Sequence, residues 1–80
     1  MNRFSIWGLI RRTPAGTYRV RVRAIPLQDG VPFSSGDELS GDATDFVQAT
    51  HERDHLVEKL KARVTGRGDT VASVDSSFEI

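Results

Sequence analysis

The sequence predicts a small α+β domain in which one helix packs on one face of a sheet that begins with an antiparallel hairpin. Residues 3–12 and 17–25 alternate in period two, which is typical of strands. Residues 51–65 instead repeat apolar residues at helical spacing. The predicted order is strand, strand, strand, helix, strand (βββαβ), in one domain of 80 residues.

The first two predicted strands form a hairpin whose turn fixes how they pair. The segment Pro14-Ala15-Gly16 is a loop whose glycine can take the left-handed conformation of a bulged hairpin. Ile10 then lies opposite Val20, and one face of the hairpin is apolar throughout. Because a shift of one residue would move both valines of the second strand to the arginine side, the register is well specified.

The segment after the hairpin is harder to assign. Residues 26–43 predict a long loop, since they are rich in glycine, serine, aspartate and proline, and a loop of this length is either mobile or functional. Residues 44–50 predict a third strand, with a helix beginning near Asp42 as the competing interpretation. The last strand is predicted over 70–75, followed by a tail over 76–80.

The predicted helix covers residues 51–65, with Thr50 as its N-cap and Gly66 at its end. One side of this helix forms a stripe that should face the sheet. The stripe consists of Arg53, Leu56, Val57, Leu60 and Val64.

Charge is segregated along the chain although the net charge is zero. All six charged residues among the first 28 are arginines, and Arg19, Arg21 and Arg23 alternate along the second strand. Residues 29–54 contain seven acids and a single arginine. This pattern indicates either a partner of opposite charge or contact between the two halves within the fold.

The sheet face without a helix must be solvated or covered by a partner. The predicted register places apolar side chains beside the arginines on this face, and exposed apolar patches mark protein contacts. The predicted interaction surface consists of Trp7, Leu9, Arg19, Arg21 and Arg23. The expected partner is an unknown protein or a second copy of the chain. Alternatively, the same face binds RNA or single-stranded nucleic acid by gripping phosphates and stacking a base.

The segment His51-Glu52-Arg53-Asp54-His55 matches the H-E-x-x-H signature of zinc metalloproteases. Helical phase turns both histidines away from the apolar stripe and into solvent, whereas a catalytic zinc needs a sheltered site. The two middle positions are charged here but uncharged in the zincin families. We therefore predict no enzyme activity, no metal site and no cofactor, and keep a zinc hydrolase as a distant third interpretation.

Composition favours a soluble cytoplasmic protein. The chain has no cysteine, which excludes thiol chemistry and fits a reducing compartment. No stretch approaches the roughly 20 apolar residues of a membrane span. The apolar run over 4–10 is short and is followed by arginines, the reverse of the charge order in a signal peptide.

The predicted order of elements resembles the HicB-type antitoxin domains, small partial ribonuclease-H-like modules that bind a toxin. It is also similar to short uncharacterised bacterial proteins in which a basic hairpin precedes a last strand containing Gly-Asp. The resemblance covers most of the chain and implies a bacterial interaction module. Because the segment 26–43 is longer than its antitoxin counterpart and lacks the compact Pro-Gly turn, no toxin partner is implied.

Overall fold

The computed structural model describes residues 2–28, 31–32 and 37–79, except for the side chains of 28, 31–32 and 76–79. Within these ranges the chain forms strands and one helix. In chain order they are β1 Arg3–Arg12, β2 Tyr18–Gln28, β3 Val31–Pro32, β4 Asp37–Ala43, α1 Phe46–Gly66 and β5 Thr70–Glu79. The predicted α+β class, with one helix packed on one sheet, is confirmed.

The strands form one mixed sheet. β1 pairs antiparallel with β2 on one side and parallel with β5 on the other. The far side of β2 pairs antiparallel with β4, and its last residues pair with the short β3. The antiparallel arrangement expected from the hairpin therefore holds for β1 to β4. β5 is parallel to its neighbour because the connection through α1 returns the chain to the end of the sheet where β1 starts.

The β1–β2 hairpin has the predicted register. The Thr13 amide donates to the Thr17 carbonyl at 2.9 Å, and Gly16 has a φ of 85° in the left-handed region. Ile10 lies opposite Val20, and both are fully buried. The apolar face of the hairpin is thus the face that the helix covers.

The long loop predicted over 26–43 is wrong, because β2 continues to Gln28 and residues 37–43 form β4. The residues of β4 alternate between the core side and the exposed side of the sheet, but glycine, serine and acids occupy most positions, so the sequence does not show this alternation. Leu39 and Ala43 pack at the core, whereas the intervening residues include the acids that meet the arginines of β2. The parts of this predicted loop at 29–30 and 33–36 lie outside the described residues.

The third strand predicted over 44–50 is also wrong, and the competing helix is correct, since α1 begins at Phe46. The N-cap is Asp45, whose carboxylate accepts a hydrogen bond of 2.8 Å from the Gln48 amide. The Gln48 side chain in turn accepts a bond of 2.7 Å from the Thr44 hydroxyl. Thr50, the predicted cap, lies inside the helix, which ends at Gly66 as predicted.

The tail predicted over 76–80 is wrong for its described part, because β5 continues through Glu79. β5 pairs with β1 along nearly its whole length, from Arg3 opposite Thr70 to Arg11 opposite Glu79. The strand predicted over 70–75 is therefore present but too short. Backbone pairing with β1 extends this strand to Glu79. The polar residues 75–77 do not favour a strand by themselves, so the sequence did not predict the extension.

The core lies between α1 and the sheet and contains the apolar stripe predicted for the helix. Its members are Phe4, Ile6, Ile10, Val20, Val22, Ala24, Ala43, Ala49, Leu56, Val57, Leu60 and Val64. Arg53, also predicted in the stripe, lies with its stem against Gly8: a β-carbon on Gly8 would be 2.9 Å from Arg53 Cγ. A second glycine, Gly41, admits Glu52 in the same way, with Cγ at 3.1 Å. These two glycines therefore leave room for the aliphatic parts of two charged helix side chains to pack on the sheet.

Arg67 joins three elements at the end of the sheet far from the hairpin turn. Its guanidinium lies 5.0 Å from the centre of the Phe4 ring and donates to Asp37 at 2.8 Å and to Asp69 at 3.0 Å. The Asn2 amide also donates to Asp69, and this hydrogen bond is the first cause of the lowered pKa of that carboxyl. The helix end, β1 and β4 are thereby tied together.

Candidate interaction site on the open sheet face

The face of the sheet opposite α1 carries the predicted interaction residues. Trp7 lies opposite Arg23, and Leu9 lies opposite Arg21. Their neighbours on the strand, Ile6 and Ile10, point to the helix and are fully buried. The structure places all five predicted residues on this open face: Trp7, Leu9, Arg19, Arg21 and Arg23. An apolar column on β1 therefore runs beside a basic column on β2.

Trp7 is held in place although it is exposed. Its side chain keeps 46% of its surface accessible. The indole Nε1 donates a hydrogen bond of 2.7 Å to the Ser5 hydroxyl, which is itself 2.9 Å from the hydroxyl of Ser73 on β5. Ser5 is buried, so the indole meets a fixed partner. A large aromatic side chain is thus oriented before any partner arrives, which lowers the entropy cost of binding.

The basic column is matched by an acidic one on β4, which the sequence analysis assigned to a loop. Glu38 accepts a bond of 2.7 Å from Arg23 Nε, and its other oxygen lies 3.2 Å from Arg21 Nε. Asp42 lies 3.5 Å from Arg19 Nε, with both side chains largely exposed. The segregated charges of the sequence therefore meet each other within the fold, one of the two predicted outcomes.

The ion pairs also affect the pKa of Glu38. The hydrogen bond from Arg23, followed by the positive charges of Arg23 and Arg21, holds the pKa of Glu38 below its ordinary value, against an opposing effect of desolvation. Glu38 stays a carboxylate at neutral pH and occupies two of the arginines. A phosphate that approached this part of the face would have to compete with it.

A concavity of about 570 Å³ opens at the hairpin end of the same face. Its lining contains four arginines together with apolar residues. The lining residues are Leu9, Arg11, Arg12, Thr13, Pro14, Arg19 and Arg21. Three predicted residues, Leu9, Arg19 and Arg21, meet there, whereas Trp7 and Arg23 lie outside it.

Part of this concavity was not predicted from the sequence. Arg11 and Arg12 were left out of the predicted surface, although the hairpin register alone sets Arg11 opposite Arg19. Two like charges that face each other across a strand pair disfavour the fold unless an anion balances them. Asp42 does so for Arg19. By register, Arg11 lies opposite Glu79, whose side chain lies outside the described residues.

The H-E-x-x-H segment lies on the side of α1 next to β4, and both His51 and His55 are exposed, as predicted. They border a second, shallow concavity of about 500 Å³ together with Asp42, Ala43, Val47, Gln48 and Glu52. In the ranges that the structure describes, no group of three or more histidine, cysteine, aspartate or glutamate side chains could hold a metal ion. Glu52 lies against Gly41, and its stem fills the space that a β-carbon would take.

Comparison with protein-family models, curated proteins and solved structures finds no match to this chain. The resemblance to HicB-type domains stays a prediction. In the part of the chain that is described, no helix has the length and apolar character needed to cross a membrane.

Proposed function

We propose that this chain is a non-enzymatic protein-interaction module that contacts a partner, or a second copy of itself, through the open sheet face. The observation that carries this proposal is Trp7, a large aromatic side chain that is half exposed and yet fixed by its bond to Ser5. Tryptophan and arginine are the residues most enriched in binding hot spots, and here Trp7 lies directly opposite Arg23.

The face also restricts the chemistry of the partner. The apolar column, Trp7 and Leu9, suits an apolar side chain, and the arginine-lined concavity around Leu9 suits a carboxylate next to it. Among the three arginines of β2, Arg19 is the most open to a new anion, because its ion pair with Asp42 is the longest and the most exposed. We therefore propose a protein segment that carries an apolar residue flanked by acids.

The second candidate function is binding of RNA or single-stranded nucleic acid by the same face. The concavity lined by Arg11, Arg12, Arg19 and Arg21 favours it, since several arginines there could grip a backbone phosphate while a base stacks nearby. Against it, Arg21 and Arg23 are already paired with Glu38, and the chain has only one tryptophan and no net positive charge. Protein binding is the better-supported function.

We infer no catalytic role, because the exposed His51 and His55 lie on an open helix flank and lack the enclosed cleft in which catalytic zinc works. A bacterial, cytoplasmic setting is proposed from the absence of cysteine and from the resemblance given above.

An affinity capture from source-cell extract tests the proposal. The immobilised chain is compared with Trp7→Ser and with Val47→Ser, a matched control in which an exposed apolar residue is removed from the helix instead. We expect a protein that is retained by the wild type and by the control, lost from Trp7→Ser, and unaffected by nuclease. Equal retention by both variants would contradict the proposal.

A titration distinguishes the second candidate. The fluorescence of Trp7, the only tryptophan, reports directly on this face. If the face binds phosphates, the logarithm of the affinity for an oligothymidylate should fall linearly with the logarithm of the salt concentration. Tight, salt-dependent binding of this kind would replace protein binding by nucleic-acid binding as the function.

A further inference from the structure

The concavity at the hairpin end of the open face is built on a square of four side chains. By register Arg11 lies opposite Arg19 across β1 and β2, and Leu9 lies opposite Arg21. Three corners of the square are therefore arginines and the fourth is apolar. Arg12 adds a further guanidinium from the side of the turn. Positive charge is thus concentrated around one apolar side chain.

Ion pairs within the chain occupy only part of this arginine cluster. Asp42 lies 3.5 Å from Arg19, and the side chains of Arg19 and Asp42 are 60% and 75% exposed, so water weakens the pair. Within the part of the chain that the structure describes, neither Arg11 nor Arg12 has an ion pair, and both are exposed. A ligand could therefore reach three guanidinium groups here without breaking a strong ion pair.

The balance of charges indicates which anion fits the concavity. Residues 11–23 contain five arginines and no acid. Three acids lie beside them in the sheet: Glu38, Asp42 and, by register with Arg11, Glu79. About two positive charges of the five therefore remain when all three acids are counted. A carboxylate or a phosphodiester has one negative charge, whereas a phosphate monoester has about 1.5 to 2 at pH 7.

The directions of the donors also favour a phosphate monoester. Arg11 and Arg12 are consecutive residues, so they reach the concavity from different sides of β1, and Arg19 approaches from the neighbouring strand. A planar carboxylate is satisfied by one bidentate arginine, whereas a phosphate monoester has three oxygens that accept hydrogen bonds in different directions. Several guanidinium groups can thus bind one phosphate together.

The rest of the open face disfavours a run of phosphates such as a nucleic-acid backbone. Beyond the concavity, Arg23 is already bound to Glu38 at 2.7 Å, and Asp75 lies beside Trp7 by register. A backbone with a phosphate at every nucleotide would meet these two acids. A single phosphate at the hairpin end would not, so the charges of the face suit one isolated phosphate group.

We propose that the concavity binds a phosphorylated side chain, a phosphoserine or phosphothreonine, of a protein partner. The inference rests on the proposed function, because Leu9 belongs both to the concavity and to the apolar column with Trp7. In an extended segment the side chains on one face recur at every second residue, which is also the spacing of Arg11, Leu9 and Trp7 along β1. A partner with apolar residues two and four positions from its phosphorylated residue would therefore contact all three.

Fluorescence anisotropy of a labelled peptide, titrated with the full chain, tests this inference. The peptide carries phosphoserine with leucines two and four positions away, before it in one version and after it in another. Matched peptides carry glutamate or serine in place of phosphoserine. We expect the better phosphoserine version to bind roughly tenfold or more tightly than its glutamate form, since hydrogen bonds between charged groups are strong.

Variants of the chain locate the phosphate. Arg11→Gln and Arg12→Gln should each remove most of the preference for phosphoserine over glutamate. Arg3→Gln is the matched control, because it removes an exposed arginine of the same strand outside the concavity, and it should leave the preference unchanged. Equal affinity for the phosphoserine and glutamate forms would overturn the inference, as would a preference that Arg3→Gln reduces as much as Arg11→Gln does.

Two further measurements separate this inference from a free-ion site and from the proposed function. Inorganic phosphate should displace the labelled peptide only at much higher concentrations than the unlabelled phosphopeptide, and displacement at equal concentrations would overturn the assignment to a protein segment. In the affinity capture, phosphatase treatment of the extract should abolish retention of the partner that depends on Trp7. A partner that is lost on Trp7→Ser but retained after phosphatase treatment would refute this inference and leave the proposed function standing.

Discussion

The packing of α1 on the sheet at Gly8 gives a prediction whose size follows from two short interatomic distances. In Gly8→Ala the new β-carbon would lie 2.9 Å from Cγ and 3.0 Å from Cδ of Arg53. These atoms are in the middle of the side chain, so the stem or the helix must move. Overpacking of this kind costs typically about 1–3 kcal/mol, and we expect the free energy of unfolding to fall by that amount.

A double-mutant cycle assigns the loss to its cause. Arg53→Ala removes both close atoms and leaves Val57 Cγ2, at 3.7 Å, as an ordinary contact for the new methyl group. Gly8→Ala should then cost less than about 0.5 kcal/mol in the Arg53→Ala background, and the difference is the coupling energy. Gly66→Ala is the matched control, because nothing lies within 4 Å of its β-carbon.

Urea denaturation followed by far-UV circular dichroism gives the four free energies of the cycle, provided that the m-values agree. The control should be neutral or, through helix propensity, stabilising by up to about 1 kcal/mol. An equal loss from Gly8→Ala in both backgrounds would show that strand geometry, and not contact with Arg53, requires the glycine.

Three further predictions concern the core, the ion pairs and the histidines. Leu60→Ala should lower the free energy of unfolding by about 2–5 kcal/mol in urea melts, since Leu60 is fully buried, whereas Val47→Ala should change it little. The lowered pKa of Glu38 means that its carboxylate stabilises the fold above about pH 4.5 and that this contribution is lost as the pH falls through the lowered value. Glu38→Gln should thus flatten the acid limb of a plot of melting temperature against pH, and an unchanged limb would contradict the role of Arg23. Calorimetry should detect no sub-micromolar zinc site, and a tight site lost on His55→Ala would reverse our interpretation of the H-E-x-x-H segment.

The parts of the fold that sequence predicted correctly are those with local causes. The turn ending in Gly16 and the period-two pattern determine the hairpin register, and the spacing of Leu56 to Val64 determines the buried side of the helix. The start of α1 also had a local signal, because Asp45 and Gln48 stand three apart as an N-cap and its partner. The β-branched and aromatic residues around them favoured a strand and hid that signal.

The elements that were missed depend on distant partners. β4 is a strand because its acids meet the arginines of β2 and Leu39 reaches the core, not because Gly, Ser and Asp prefer extended backbone. The Arg23–Glu38 pair therefore could not be read from either segment alone. In the candidate site, the hairpin register was enough to place Trp7 and Leu9 on the open face. The concavity was not predicted, because its lining also includes residues of the hairpin turn.

The pairing of β1 with β5 also has a consequence for the order in which the protein folds. The Asn2 carbonyl accepts from the Thr70 amide at 2.9 Å, so these neighbours are 68 residues apart in the chain. The hairpin can form as soon as its residues are synthesised. The other edge of β1 can pair only after residues 70–79 have been synthesised. Loop-closure entropy makes such non-local pairing slow. A nascent chain that has not yet reached Thr70 would expose the bare edge of β1, with Trp7 and Leu9 beside it, and this is the stage at which we expect it to be most prone to aggregation.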